Sequence, residues 1–308
     1  MSRFEFDGVP LPSVSPDSPP ALPGPPVLAS ASAQTLLDAS AQARPTATVS
    51  LDLGLSQSAV MLRADGVLLP GGERVAWPDL ERVAAATGHI GGRCFAVLAD
   101  GSLDEIARFS ATTNRRCSLV ATRGAPTLLV AGVQMHRTVA SDPLADARAK
   151  IETIAPIRGD VLDTATGLGY TAIEAARTAN RVVTIELDPA VAEIAQLNPW
   201  SHPLFADPKI EWRTGDSFRE VRYFPDRSFT RVIHDPPVIA LAGDLYSGEF
   251  YRELHRLLVE RGRLFHYIGN PATQSGARVT RGVVRRLREA GFSRVTAAPA
   301  AFGIVAVR

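Results

Sequence analysis

Residues Val161 to Tyr170 read VLDTATGLGY, and this stretch decides the fold of the second half of the chain. A short apolar run ends in Asp163, a turn of small residues follows, and a helical pattern begins at Tyr170. This order predicts a strand, a glycine-containing turn and a helix. The next predicted strand closes at Glu186, whose carboxylate can accept hydrogen bonds from two ribose hydroxyls. Because a small-residue turn lets the backbone approach a ligand closely, the two features together predict a bound nucleoside.

The composition limits the classes of protein that the chain can be. It has 308 residues and a formal net charge of only +1, so a nucleic acid or an anionic membrane would need a local basic patch. Its basic residues are almost all arginine, with Lys150 and Lys209 as the exceptions, which we interpret as a compositional bias. Cys94 and Cys117 are too few for a zinc site, so no metal is expected.

No apolar run approaches the roughly 18 residues that span a bilayer, and Glu5 and Asp7 do not suit a secretory leader. We therefore expect a soluble, cytoplasmic protein without a membrane partner. The low cysteine content favours reduced thiols in that compartment.

Composition divides the chain into three predicted parts. Residues 1–47 are rich in proline, serine and alanine without a hydrophobic face, which predicts a disordered tail. Residues 48–138 contain short β-like runs and turn signals such as Asp65-Gly66, which predict a small α+β domain. Residues 139–308 open with a helix near Pro143 and then alternate strands and helices. That alternation predicts a parallel sheet with helices on both faces.

Seven strands are expected in this second domain, ending near Asp163, Glu186, Arg213, Asp235, Tyr267, Ala297 and Val307. The helices expected after the second, fourth and fifth strands are 189–197, 247–260 and 278–290. The last two strands are joined by a short loop through Pro299, so they are expected to be antiparallel neighbours at one edge of the sheet.

The second domain resembles the class I S-adenosylmethionine (SAM) dependent methyltransferases. That family implies an α/β, Rossmann-like sheet of seven strands with a reversed last strand, beside which this chain adds its small N-terminal α+β domain. The resemblance runs from about Ser141 to Arg308, and its motifs are the turn after Asp163, Glu186, Gly215-Asp216-Ser217 and His234-Asp235-Pro236-Pro237. A dinucleotide is less favoured, because Ala165 replaces the first glycine of GxGxxG.

By this resemblance SAM is the cofactor, with Asp163 holding its amino group, Glu186 its ribose and Asp216 its adenine amine. The residues expected to contact SAM are Asp163, Thr164, Ala165, Gly167, Gly169, Glu186, Leu187, Asp216 and Ser217. Two simpler interpretations stay open. Asp216 and Ser217 can cap the helix that follows, and Glu186 can merely end its strand.

His234-Asp235-Pro236-Pro237 is similar to the D/N-P-P-aromatic motif of methyltransferases that modify amino nitrogens of nucleic-acid bases or protein glutamine. A planar amino group is a poor nucleophile, so the Asp235 carboxylate and the Pro236 carbonyl are the expected catalytic groups, accepting its protons. Val238 stands where the motif has its stacking aromatic residue, and His234 is interpreted as a strand-end residue rather than a base.

The residues expected to contact the acceptor substrate are Pro237, Tyr246, Tyr251 and His136. Core packing is the alternative for the two tyrosines, and packing of the linker between domains is the alternative for His136. The acceptor itself is not identified, and RNA is one acceptor that the resemblance allows.

A second resemblance concerns residues Leu245 to Leu254, LYSGEFYREL, which look like the LYSxEFYxxL stretch of spermidine synthases. It implies an aminopropyltransferase that uses decarboxylated SAM and binds its polycationic substrate through Asp235, Asp244 and Glu249. The whole domain most resembles a group of uncharacterised predicted methyltransferases described mainly in archaea. A third alternative is a non-catalytic binding protein with the same fold.

Overall fold

The computed structural model describes residues 24–88, 91–139 and 141–308. Most of the predicted tail, residues 1–23, lies outside the described residues. The rest of that prediction is wrong, because the chain from Gly24 onward forms a strand and a helix. The helix is alanine-rich and lacks a strong apolar face, but Ala33, Leu36 and Ala39 are buried in the core of the first half. Small side chains there allow the close packing that the composition alone did not reveal.

The first half of the described chain consists of short strands and two helices. Its elements are β1 (Val27–Leu28), α1 (Ser30–Ala41), β2 (Thr46–Val49), β3 (Ser58–Leu62), β4 (Gly66–Leu68), β5 (Arg74–Ala76), α2 (Trp77–Ala85), β6 (Phe95–Val97), β7 (Leu103–Glu105), β8 (Ala107–Ser110), β9 (Arg115–Val120), β10 (Thr127–Val130) and β11 (Val133–Gln134). They form antiparallel sheets of order β1-β6-β7, β2-β3-β4-β5 and β11-β10-β9-β8. This is the α+β half that the turn signals predicted.

The second half alternates helices and strands. Its elements are α3 (Pro143–Glu152), β12 (Asp160–Asp163), α4 (Tyr170–Ala176), β13 (Arg181–Glu186), α5 (Pro189–Leu197), α6 (His202–Ala206), β14 (Ile210–Thr214), α7 (Ser217–Glu220), β15 (Phe229–His234), α8 (Gly248–Leu257), β16 (Leu258–Tyr267), α9 (Gln274–Glu289), β17 (Arg294–Ala298) and β18 (Gly303–Val307). Helix α3 begins as predicted, with Pro143 in its first turn and the Asp142 side chain accepting from the Leu144 and Ala145 amides.

The seven strands of this half form one sheet of order β14-β13-β12-β15-β16-β18-β17. Strands β14, β13, β12, β15 and β16 are parallel, whereas β18 is antiparallel to both of its neighbours. The prediction of a Rossmann-like methyltransferase sheet with a reversed last strand is confirmed.

The predicted helix 247–260 extends three residues too far at its carboxyl end. It ends at Leu257, and Leu258 already belongs to β16, where it pairs with Phe229 of β15. Leu258 is fully buried, so its side chain gains more from the core beside Phe229 than from a further helical turn. The strand then shifts register, with Arg261 in a left-handed conformation at φ 60°.

Alternate residues of the sheet pack on opposite faces. Val161 and Ile233 belong to the core that continues into β9 and β10 of the first half, whereas their neighbours Leu162 and Val232 pack with α8 and α9. The first half therefore covers one face of the sheet near the ends of its strands.

Among the described residues, no helix is both long and apolar enough to cross a membrane.

Candidate functional site

A cavity lies at the carboxyl ends of β12, β13 and β15. Its floor is the turn after β12 together with the end of β13 and the residues that follow β15, and its opposite wall comes from β9, β10 and β11. In parallel sheets of this kind, ligands bind where strands end and the strand order reverses. The order β13-β12-β15 places that reversal beside β12.

The turn after β12 is fixed from two sides by backbone hydrogen bonds. The Thr164 amide donates to the Ile233 carbonyl of β15, and the Thr166 amide donates to the Ile185 carbonyl of β13, both at 3.0 Å. Gly167 adopts φ 55°, and open space lies where its Cβ would be. The backbone at Gly167 is therefore bare toward the cavity and free to touch a ligand.

Gly169 has a different role from Gly167. It adopts φ 79°, and an added Cβ would come within 2.7 Å of the Leu204 side chain. It does not line the cavity, so its part is to let α4 pack against α6 rather than to contact a ligand.

Glu186 lines the cavity with a buried carboxylate. Its Oε2 accepts from the Gly167 amide at 2.8 Å and its Oε1 accepts from the Asp188 amide at 2.9 Å. Burial raises the pKa of Glu186 to about 7, although these two amides favour the charged form. Glu186 is thus more than a strand terminus, because it joins the turn to the start of α5. Each carboxylate oxygen keeps a lone pair for a hydroxyl in the cavity.

Asp163 lies behind the turn and outside the cavity wall. It accepts from the Thr171 hydroxyl at 2.9 Å and from the Ala165 amide at 3.3 Å, and burial raises its pKa to about 7. The structure therefore gives the predicted ligand residue Asp163 a local partner, and it is Thr171 that faces the cavity.

Asp216 and Ser217 both line the cavity, and both also have structural roles. Asp216 caps α7 by accepting from the Phe218 amide at 2.9 Å, and the Ser217 hydroxyl donates to the Thr164 carbonyl at 2.6 Å. The capping interpretation of Asp216 is confirmed, and both residues also face the cavity. Leu187 lies at the mouth with about half of its side chain exposed.

Asp235, Pro236 and Pro237 line the cavity directly after β15, the strand beside β12 and its turn. The Pro237 carbonyl accepts from the buried Tyr246 hydroxyl at 3.1 Å, which anchors the segment from below. Val238, at the position of the missing aromatic residue, is 41% exposed at the rim. The catalytic pair predicted from the motif therefore shares one cavity with Glu186 and the turn.

The predicted role of the two tyrosines as substrate contacts is contradicted. Tyr246 and Tyr251 are buried and neither lines the cavity. The Tyr251 hydroxyl is hydrogen-bonded to His266 Nε2 at 2.8 Å. Both belong to one apolar core: Tyr251 lies on the buried face of α8, and Tyr246 precedes that helix.

His234 lies in the same buried layer, outside the cavity wall. Its Nε2 donates to the Leu245 carbonyl at 2.9 Å, and its Nδ1 is 2.7 Å from the Thr164 hydroxyl. Burial lowers its pKa to about 3, so it is neutral. The interpretation of His234 as a strand-end residue agrees with this position.

Of the acids named for polyamine binding, only Asp235 lines the cavity. Asp244 is exposed, and Glu249 is exposed and paired with Arg222 at 2.7 Å.

His136 lines the cavity from the segment after β11, as predicted. Its ring lies 5.2 Å from that of Tyr170, and its Nδ1 is 3.1 Å from the Thr127 hydroxyl. Burial and, next, the charge of Lys150 lower its pKa to about 3. It is therefore a neutral polar group.

Sequence reasoning missed Lys150, whose side chain is only 1% exposed and lines the cavity. Its ammonium lies 2.7 Å from Asp235 Oδ2 and 2.8 Å from Asp146 Oδ2. A signal was present in the sequence: Asp146 and Lys150 fall on the same helical stripe as Ala147 and Ile151, which are buried. Charged residues on an apolar stripe indicate a buried ion pair.

Other lining residues come from the first half of the chain and from β16. They are Thr113, Arg115, Leu128, Val130, Gln134, Met135 and Tyr267. The wall opposite the turn thus combines apolar side chains with polar ones. In the described part of the chain, Arg115 and Lys150 are the lysine and arginine side chains that line it.

Comparison with known proteins gives both a close relative and distant ones. No family model matches the chain. It is 42% identical over 236 residues to the uncharacterised protein MJ1233 of Methanocaldococcus jannaschii, covering 76% of this chain and 78% of that protein. It is also 34% identical over 95 residues to polyamine aminopropyltransferase 2 of Streptomyces coelicolor, which is 29% of this chain and 17% of that protein.

Solved structures with a similar fold include two spermidine synthases. A spermidine synthase in complex with the transition-state analogue AdoDATO is similar with a TM-score of 0.55 and 18% identity, over 70% of this chain and 75% of that one. Spermidine synthase from Thermotoga maritima is similar with a TM-score of 0.53 and 17% identity, over 72% of this chain and 76% of that one. At such identities the likeness shows the fold alone.

Proposed function

We propose that this chain, which belongs to the family of the uncharacterised protein MJ1233 of Methanocaldococcus jannaschii, is a SAM-dependent methyltransferase that acts on an amino nitrogen. One observation carries the proposal. Glu186 and the bare Gly167 turn line the same cavity as Asp235 and the two prolines after it. A nucleoside-binding edge and a proton-accepting carboxylate thus face one enclosed space, which is what transfer between a nucleoside donor and an amine requires.

The residues at the strand ends fit a sulfonium nucleoside. In this proposal the Glu186 carboxylate accepts from the ribose hydroxyls, Asp216 accepts from the adenine amine, and the bare backbone at Gly167 allows close approach. SAM, when bound, supplies an electrophilic methyl group on sulfur. The protein then has to bring an acceptor nitrogen in line with that group.

Asp235 is the group that prepares the acceptor. Lys150 occupies its Oδ2, and Oδ1 has no hydrogen bond within the described residues. An acceptor N–H can donate to Oδ1, which leaves the nitrogen lone pair directed at the methyl carbon. With SAM bound, the new nitrogen–carbon bond would form as the carbon–sulfur bond breaks and releases a neutral thioether, and the Asp235 carboxylate would accept the displaced proton.

The charges on the acceptor side favour a methyl transfer over an aminopropyl transfer. A polyamine acceptor carries a second cationic nitrogen that needs its own carboxylate. Asp235 is already paired with the Lys150 ammonium, and Asp244 and Glu249 do not line the cavity. The remaining lining acids, Glu186, Asp188 and Asp216, follow β13 and β14 at the nucleoside edge.

An aminopropyltransferase is the second candidate, because of the local 34% identity to polyamine aminopropyltransferase 2 of Streptomyces coelicolor. The two candidates differ in their donor. SAM carries a carboxylate that decarboxylated SAM lacks, so each candidate enzyme needs a pocket that binds its own donor in preference to the other.

Calorimetric titration with SAM and with decarboxylated SAM tests the choice of donor. We expect SAM to bind and the decarboxylated form to bind more weakly. Incubation with methyl-labelled SAM and fractionated cell RNA, protein and small molecules then identifies the acceptor class. Preferential binding of decarboxylated SAM, with aminopropyl transfer to putrescine, contradicts the methyltransferase proposal. Binding of neither donor favours the non-catalytic alternative.

A further inference from the structure

A buried series of alternating charges ends at Asp235. Arg137 Nη1 lies 3.4 Å from Asp146 Oδ1, Asp146 Oδ2 lies 2.8 Å from Lys150 Nζ, and Lys150 Nζ lies 2.7 Å from Asp235 Oδ2. Arg137 is also held by the Ala300 carbonyl at 2.7 Å. Two cations thus alternate with two carboxylates, from the segment before α3 to the end of β15.

Lys150 is the central cation of this series and stays charged. Burial by itself lowers the pKa of a lysine, but the carboxylates of Asp235 and Asp146 outweigh it and raise the pKa of Lys150. The lysine side chain is 1% exposed and Asp146 is fully buried, so water screens this pair very little. The charge of Lys150 therefore acts on Asp235, whose side chain is 15% exposed, with little screening by water.

The residue type at position 150 is unusual for this chain. Lys150 and Lys209 are the only lysines among 33 basic residues, and Lys209 is exposed. An ammonium is a compact point charge with rotatable donors, which suits two carboxylates that approach from different elements. The Tyr267 ring also packs against the ammonium, with 4.8 Å between the nitrogen and the ring centre.

We propose that Lys150 is a positioning residue for the acceptor: it holds Asp235 by Oδ2, keeps that carboxylate ionised, and so leaves Oδ1 to accept the acceptor N–H. This inference rests on the proposed function, because it assigns a task to the carboxylate that receives the proton. Asp146 opposes this effect of Lys150. It shares the Lys150 ammonium with Asp235, and its own negative charge raises the pKa of Asp235.

The surroundings of Asp235 agree with this assignment. Burial raises the pKa of the Asp235 carboxyl, and the charge of Lys150 opposes that rise. Other ionisable groups interact electrostatically with Asp235. They are Asp146 of α3, Asp163 of β12, Tyr246 after β15 and Tyr267 of β16. Arg137 and His136 face the series through Asp146 and Lys150. Lys150 is the cation in direct contact with Asp235.

Two substitutions should shift the pKa of Asp235 in opposite directions. Lys150→Met keeps the length of the side chain but removes its charge, so the pKa of Asp235 should rise by about 1 to 3 pH units. Asp146→Asn removes a negative charge and leaves Lys150 wholly to Asp235, so the pKa of Asp235 should fall. Lys209→Met, which removes the exposed lysine, should leave it unchanged.

The measurement is a titration of aspartate carboxyl carbons by NMR, with the Asp235 signal identified by its absence in Asp235→Asn. SAM affinity is measured for each variant by calorimetry. Methyl transfer from labelled SAM into the accepting cell fraction is then followed against pH. In Lys150→Met the rate at pH 7 should fall by about 100-fold, and the acid limb of the profile should move to higher pH.

An unchanged pKa of Asp235 in both variants overturns the proposal, as does a Lys150→Met rate that falls equally at every pH. If Lys150→Met does not fold, Asp146→Asn decides the question, because a raised or unchanged pKa in that variant contradicts the assignment. Failure of the proposed function is recognised separately, since it appears as absence of SAM binding or of labelled transfer in the unsubstituted protein.

Discussion

The two sides of the cavity are held in place by different forces. The turn side consists of residues 164–167 and Glu186, and its hydrogen bonds join the backbones of adjacent strands. The lysine side consists of His136, Lys150, Asp235 and Tyr267, and its central contact is an ion pair between residues 85 positions apart. The turn side is therefore a property of the sheet itself, whereas the lysine side depends on how α3 and the first half pack over it.

The carboxylates of the two sides are also stabilised differently. Glu186 is held by two backbone amides, which any substitution of those residues other than by proline leaves in place. Asp235 is held by one side-chain cation. Substitutions on the turn side should therefore act on donor binding, and those on the lysine side on turnover.

One of the two largest expected effects is on the turn side. Glu186→Ala should lower SAM affinity by at least about 100-fold, because hydrogen bonds to a charged group contribute about 1.5–3 kcal/mol each and the amides of Gly167 and Asp188 also lose their acceptor. Calorimetric titration measures this loss. Glu193→Ala on the exposed face of α5 is the matched control and should bind SAM normally. Equal affinity of the two variants would remove Glu186 from the donor site.

The next effect separates the two sides. Asp235→Ala should keep SAM binding and lower turnover by about 10² to 10⁴-fold, because the displaced proton loses its acceptor. Binding is measured by calorimetry and turnover by transfer of labelled methyl groups. Asp244→Ala, which removes a nearby exposed acid, should stay active. Full activity of Asp235→Ala on an identified acceptor would show that the Asp-Pro-Pro mechanism is wrong.

The free energy of unfolding should depend on pH, because the Asp163 carboxyl is buried behind the turn. The pKa of Asp163 is 3.8 in the unfolded chain and about 7 in the folded protein, because burial disfavours the charged carboxylate. Its contribution to stability is thus fully present below pH 3.8 and is lost as the pH rises to about 7, by on the order of 4 kcal/mol.

Urea unfolding of the original protein and of Asp163→Asn between pH 4 and pH 8 measures this contribution of Asp163 to stability. The original protein should lose stability relative to Asp163→Asn as the pH rises. A difference that stays constant over this range, or that runs in the other direction, would mean that the burial of Asp163 carries no such cost.

The smallest effect concerns the layer beneath the cavity. Tyr251→Phe removes the hydrogen bond to His266 and should lower the free energy of unfolding by about 1 kcal/mol while leaving turnover unchanged. Urea unfolding and the methyl-transfer assay measure the two quantities. Reduced turnover at unchanged stability would restore Tyr251 as a substrate residue.

The sequence predicted the sheet well, because alternation of strands and helices and the position of polar residues at strand ends depend on neighbours along the chain. The turn after Asp163, the reversed last strand and the capped start of α3 all follow from such local patterns. Where the local signal was weak, prediction failed. Helix α1 needs partners in the first half to bury its alanines, and Leu258 needs Phe229 to begin a strand.

The sequence by itself determined the fold of the second half and the edge at which a nucleoside is expected, since turn chemistry and strand ends are set within short stretches of chain. Only the tertiary structure decided that Lys150 meets Asp235, that Asp163 and Tyr251 stay out of the cavity, and that β9, β10 and β11 close its far wall. The physical reason is that an ion pair or a cavity wall between distant segments depends on how packed elements meet. No local pattern along the chain records that geometry.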